Sequence, residues 1–280
     1  MDQISDLLST KGIISCRIRF VREAPSETKG TVLKKFLEPQ VYFAVKEDIP
    51  LERLLKNEDG ARPSEEFHFL FLPDVLSTAG LEKTGSISEG PSIELLAKPN
   101  KIIWNPHRVV VLGSEEISEE TFMALVEFAF FESELRKLES KLNEYFLICP
   151  NDIPLTHGVG LSDLRRQAHV NEMTRHITSS RMEFVRLIPC FDNLYGKLTP
   201  HTKRIIGELT EKTRVWDDRT EAVEDKLEFL EDLYELANDR LTEFRYFRKE
   251  FTLELWIIVL LVLELAVMLW EVSAIFSHSS

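Results

Sequence analysis

The sequence predicts an α+β N-terminal domain, then a helical region, a long coiled-coil-like helix and one C-terminal transmembrane helix. Three observations carry this reading. Short apolar segments of strand character fill the chain up to Gly113. A heptad-spaced stripe runs from Thr213 to Phe251. A greasy segment, LELWIIVLLVLELAVMLWEV, occupies 253–272. The expected boundaries are 1–30 for an N-terminal strand and linker, 31–117 for a small α+β domain and 118–200 for a helical domain. The long stalk helix takes 201–250, and the transmembrane helix with a short tail takes 251–276.

In the first part, Ile14, Cys16, Ile18 and Phe20 alternate with Ser15, Arg17 and Arg19, the period of a half-buried strand. VYFAV at 41–45 and FHFLFL at 67–72 are further strands. IIW at 102–104 and VVVL at 109–112 bracket Asn-Pro-His and predict a hairpin. Pro50 suits the first turn of a short helix carrying Leu51, Leu54 and Leu55. Residues 24–30 and 77–91 read as loops.

From Ser118 the pattern becomes helical. Ser118 is an N-cap followed by Glu119 and Glu120, acids that complement the helix dipole, and this helix should run to about Phe146, before Pro150 and Pro154. A second helix is expected from Ser162 to about Leu187, stopping before Pro189. Beyond Pro200 no effective breaker occurs, and steps of three and four select Trp216, Thr220, Val223, Leu227, Leu230, Tyr234, Ala237, Leu241, Phe244, Arg248 and Phe251. Such a stripe suits a subunit seam between long helices.

From Leu255 to Phe276 a helix would span roughly 33 Å, enough for a bilayer core. Fourteen of these residues are Leu, Ile, Val or Phe. Their insertion gain of about 4–8 kcal/mol exceeds the cost of about 3 for the central Glu264; Glu271 lies nearer the end, and Glu254 precedes the run. Arg245, Arg248 and Lys249 lie before the span, and no Lys or Arg lies after it. The positive-inside rule then places the N-terminal part in the cytosol or its topological equivalent, such as a mitochondrial matrix.

The net charge of −13 argues against general nucleic-acid binding. Cys16, Cys149 and Cys190 are scattered and suggest neither a disulfide framework nor a zinc site. The acid-bearing N-terminus, MDQISDLLSTKGIISC, resembles neither a secretory signal nor an Arg-rich transit peptide. His169, Glu172 and His176 share a helix face without a fourth ligand, so no metal and no cofactor are predicted. Absence of GxSxG, HExxH or P-loop patterns points away from an enzyme.

AFFESELRKLE at 129–139, DRTEAVEDKLEFLEDLYEL at 218–236 and LELWIIVLLVLEL at 253–265 together resemble the required-for-meiotic-nuclear-division family, a family with a domain of unknown function. On that resemblance Glu132 takes the acid of the first motif. Arg219, Val223, Lys226 and Leu227 fall on the second, and Glu254 with Glu264 on the third. The chain departs from the pattern at Glu224, where the family has Asn, and at Leu255, which intervenes before Trp256. The resemblance implies an α+β part, a helical part and a single C-terminal span in a mitochondrial or other internal membrane, with no catalytic residues.

Two functions follow as expectations. One is a non-enzymatic membrane-anchored scaffold or organelle-support protein, a homo-oligomer joined through its C-terminal helices and in contact with membrane lipid. The other is an ion channel or transporter subunit similar in architecture to CorA-type channels, with Glu264 as the pore acid. A tethering factor fits the same features. Glu264 flanks the heptad stripe, so contact with it predicts more than two subunits.

Overall fold

The computed structural model describes residues 14–22, 30–36, 42–50, 66–73, 92–113, 117–196, 198–214 and 218–278, with the side chains of 190–195 and 271–278 excepted. Seven strands form one mixed sheet: β1 (Ile14–Val21), β2 (Thr31–Phe36), β3 (Tyr42–Asp48), β4 (Glu66–Pro73), β5 (Ile93–Ala97), β6 (Asn100–Asn105) and β7 (Arg108–Gly113), in the order β2-β3-β1-β4-β7-β6-β5. Every pairing is antiparallel except β4 with β7. Four α-helices follow: α1 (Glu119–Ile148), α2 (Gln167–Gly196), α3 (Pro200–Thr213) and α4 (Thr220–His278). Short 3-10 turns link α1 to α2 at Cys149–Asn151, Ile153–Thr156 and Asp163–Arg166.

The contacts divide the chain into two units. Unit 1 comprises Met1–Asn143 and Ser180–Lys226; unit 2 comprises Glu144–Ser179 and Leu227–Ser280.

In unit 1 the aromatic residues of α1 cover one face of the sheet. Phe130 stacks on Phe36 at 4.4 Å and meets Phe20 and Tyr42 at 5.3 and 5.4 Å. Phe128 meets Trp104 edge-on at 5.1 Å, and Phe122 meets Phe69 at 4.7 Å. Such pairs add specific geometry to large apolar burial. Period-two alternation sends Leu70, Leu72, Val110 and Leu112 to the opposite face, where they cluster with Ile103. All six residues of β7 are buried, as expected of a central strand with a parallel neighbour.

The strand at 14–20 and the 102–112 hairpin form as the alternation predicts. The turn at Pro106 and His107 joins Asn105 to Arg108, and Asn105 Oδ1 accepts the His107 N–H at 3.2 Å. β1 lies between β3 and β4, so the first strand belongs inside the sheet rather than ahead of it. The two strands that the apolar pattern does not reveal, β2 and β5, are the two sheet edges. β2 carries Lys34, Lys35 and a bulge, devices that discourage further strand pairing. The expected helix at 51–55 and the loops at 24–29 and 77–91 lie outside the described residues.

The start of α1 follows the sequence, whereas the helix expected from Ser162 opens as the 3-10 turn Asp163–Arg166 and becomes α-helical only at Gln167. The Thr121 N–H donates to Ser118 Oγ at 3.2 Å, the capping bond for α1. Two helix ends differ from expectation. α2 runs through Pro189 to Gly196, because Pro189 sits on an exposed face where the carbonyl it cannot serve remains open to water. The expected continuous stalk is broken after Thr213. Arg214 adopts the left-handed conformation (φ 52°), with its N–H donating to the carbonyls of Glu211 and Thr210. α4 opens at Thr220, and just before it the Arg219 N–H reaches the Arg214 carbonyl at 3.2 Å.

The heptad stripe is likewise corrected. In unit 1 Val223 is buried; in unit 2 Leu227, Leu230, Tyr234, Ala237 and Leu241 are buried. Phe244 is half-buried, and Trp216 lies outside the described residues. These buried positions are covered by the chain's own side chains and are not free to line a subunit seam. Heptad spacing demands an apolar neighbour but does not say whether that neighbour comes from the same chain.

Replacing Ser118 by Ala removes the α1 cap and should lower unfolding free energy by about 1 kcal/mol, read from the denaturant midpoint; Ser118→Asp should retain most of it.

Candidate functional site

Two buried polar clusters and one exposed apolar surface stand out. In unit 1, Glu132 of α1 is only 2% exposed, and its Oε1 accepts from Arg136 at 2.6 Å and Arg219 at 3.0 Å. Arg219 also forks onto Glu139, Nε to Oε1 and Nη2 to Oε2, both at 2.7 Å. One guanidinium therefore bridges two carboxylates a helical repeat of seven apart on α1. The hydrogen bonds to Glu139, opposed by burial and helped by the charge of Glu132, hold Arg219 firmly protonated. Glu132 Oε2 has no hydrogen-bond partner.

The resemblance places Glu132 and Arg219 in separate motifs 87 positions apart, and the fold brings them into contact. Lys226 donates to Asn143 Oδ1 at 2.8 Å. Arg136 and Glu139 lie within AFFESELRKLE, where no motif role falls on them. The i,i+4 spacing of Glu132 and Arg136 is the only local signal of this network.

In unit 2, Asp152 is fully buried between the first two 3-10 turns. Its Oδ1 accepts from Arg166. Its Oδ2 accepts from the Tyr234 hydroxyl at 2.7 Å and from His169 Nε2 at 3.0 Å. Since a carboxylate only accepts, Nε2 carries the proton. Burial, then the hydrogen bond and charge of Asp152, push the Tyr234 hydroxyl well above its ordinary range. Asp152, set in PNDIP, carried no sequence signal; Tyr234 was visible only as an apolar stripe position. His169 faces Asp152, while Glu172 pairs with His176 at 3.8 Å.

These networks neutralise buried carboxylates. Among the described residues no group of three or more His, Cys, Asp or Glu is placed to hold a metal ion. Cys16 and Cys149 are buried free thiols; burial pushes Cys16 up to about 11 and raises Cys149, so both stay protonated and weakly nucleophilic.

The third feature is the distal part of α4. Among the described residues one helix is long and apolar enough to cross a membrane, with mean hydropathy 2.4 in its most apolar window and none of that window buried. Trp256, Leu260, Leu263 and Leu269 are each more than half exposed. Glu254 and Glu264 are exposed on the same helix. Glu271 lies in α4 with its side chain outside the described set. Ahead of this apolar segment Arg248 and Lys249 are exposed, and Arg245 donates to Gln167 Oε1 at 3.0 Å.

Removing the Arg219 fork should be costly. Arg219→Ala leaves Glu132 buried beside Arg136 alone, with an expected loss of about 3–5 kcal/mol in denaturant unfolding, and Glu132→Gln in the same background should restore part of it. Tyr234→Phe should cost about 1–3 kcal/mol. The raised Tyr234 also has a sign: its contribution is full below the ordinary tyrosine value of about 10 and declines as pH rises above it, because the unfolded chain ionises first. Unfolding measured across that alkaline range should therefore fall less steeply for Tyr234→Phe than for the parent; Tyr42, also raised chiefly by burial, accounts for a separate part of the decline.

No protein-family model matches this chain, and no curated protein matches it.

Proposed function

We propose that this chain is a non-enzymatic membrane-anchored scaffold or organelle-support protein. One observation carries the reading: within unit 2, α4 is packed from Leu227 to Leu241 and then continues without interruption into a segment whose apolar side chains all face outward. The sixteen exposed large apolar side chains between Phe251 and Trp270 are unfavourable in water and favourable in lipid. The basic residues Arg245, Arg248 and Lys249 support an orientation with the sheet and helices on the cytosolic or matrix side. The motif resemblance supports an internal or mitochondrial membrane and a place in the required-for-meiotic-nuclear-division family.

Because the proximal stripe is consumed inside the chain, self-association is assigned to the span. Glu264 would satisfy its carboxyl by hydrogen bonding between neighbouring copies. The alternative, a channel or transporter subunit of CorA-like architecture, is favoured by the uninterrupted passage of α4 from folded part to span and by the exposed Glu264.

The full chain should stay in the membrane pellet under alkaline carbonate; release into the supernatant would sink the anchor. Solubilised protein should run as an oligomer by mass photometry, and Glu264→Leu should shift it toward monomer. A monomeric parent would refute self-association. Selective ion flux in liposomes, lost in Glu264→Gln, would transfer the assignment to the channel.

A further inference from the structure

We infer that the connection between α1 and α2 is a second membrane contact, a basic and apolar tip that rests on the anionic headgroups beside the span. The inference rests on the anchor reading. All the residues involved belong to unit 2.

α2 runs antiparallel to α4 here: His169 shares Asp152 with Tyr234, whereas Gln167, two residues earlier, bonds Asn238 at 2.6 Å and Arg245 at 3.0 Å. Moving backwards along α2 therefore means moving toward the span. The 3-10 turn Asp163–Arg166 continues that direction, since Ser162 and Gln167 at its ends both keep helical dihedrals. At about 2 Å per residue, Ser162 and Leu161 lie roughly 8–12 Å beyond Gln167. That brings them to the level of Arg248 and Lys249, themselves about 6–8 Å before Leu253. The polar layer of one leaflet is on the order of 5–8 Å thick, so the tip meets it.

The side chains at this tip have the matching chemistry. Leu161 is 64% exposed, an apolar side chain turned to the outside of this connection. Arg165 is exposed near it in the chain, and by the same level argument Arg245, Arg248 and Lys249 stand at a comparable height on α4, with Glu250 as the nearest acid on that helix. Asp163 is occupied by the Gly160 N–H at 2.9 Å. The end of α2 directed toward the membrane is its N-terminus, whose partial positive charge adds to the arginines. Apolar insertion together with several cations is the recognised combination for an anionic lipid surface.

The test uses the full chain reconstituted into phosphatidylcholine vesicles with or without phosphatidylserine. Single cysteines replace Leu161, Leu236 or Leu260 in a Cys190→Ser background and carry an environment-sensitive fluorophore. All three positions are exposed, so the substitutions leave packing intact. Leu236 lies about 28 Å before Leu255 on α4 and serves as the dry-land control. Quenching by headgroup-labelled lipid should be several-fold stronger at 161 than at 236, whereas 260 should be quenched by chain-labelled lipid. Arg165→Glu should lower the contact at 161 about fivefold in phosphatidylserine vesicles and little in their absence. Equal quenching at 161 and 236, with 260 still quenched from the chain region, would overturn the tip contact and leave the anchor standing. An unquenched 260 would overturn the anchor and the tip together. A loss on Arg165→Glu that is the same in both vesicles would overturn the anionic-headgroup assignment.

Discussion

The buried carboxylate of Glu132 is the constraint around which the helical part of unit 1 is arranged. An ionised acid at that depth is tolerated only if it is paired and hydrogen-bonded, and the chain supplies two guanidinium groups. Arg136 is available from the same helix at no topological cost. Arg219 must come from far along the chain, and its fork reaches Glu139 as well. The break between α3 and α4 follows from this demand. A non-glycine residue in the left-handed region costs about 1–2 kcal/mol, and Arg214 accepts it at the turn that delivers Arg219 to the two acids.

Unit 2 shows the same economy with different chemistry. Asp152 is the hub, and three donors from three parts of the chain converge on it: Arg166 ahead of α2, His169 within α2 and Tyr234 within α4. A buried polar network of this kind fixes one packing arrangement, since a shifted helix would strand a charge in an apolar interior. It also sets the register of α4 against α2 within unit 2.

Legibility differed by the range of the interaction. Strands in the middle of the sheet announce themselves, because β1, β4 and β7 need apolar side chains on one or both faces. The edges β2 and β5 have a single neighbour each; β2 carries two lysines, and β5 is a short IELLA run with none of the long alternation that marks β1. The Ser118 cap was legible because a hydroxyl three residues before an orphan N–H is a local relation. Pro189 misled because its effect depends on exposure, which is tertiary. The polar clusters were legible only in fragments: Glu132 and Arg219 as motif positions, Tyr234 as an apolar stripe member, and Asp152 not at all.

Composition and spacing alone determined that this chain has a strand-rich beginning, a capped first helix and a C-terminal run whose free energy favours lipid over water. Those properties depend on residues within a few turns of one another, where hydrophobic periodicity and insertion energies suffice. Only the tertiary structure decided which surfaces meet. It turned a stripe that could have joined subunits into the interior of one chain, because heptad periodicity states that a neighbour is needed and not which neighbour it is. It also joined Glu132 to Arg219 and Asp152 to Tyr234, since the pairing of buried polar groups across eighty or more residues is fixed by geometry rather than by any local pattern.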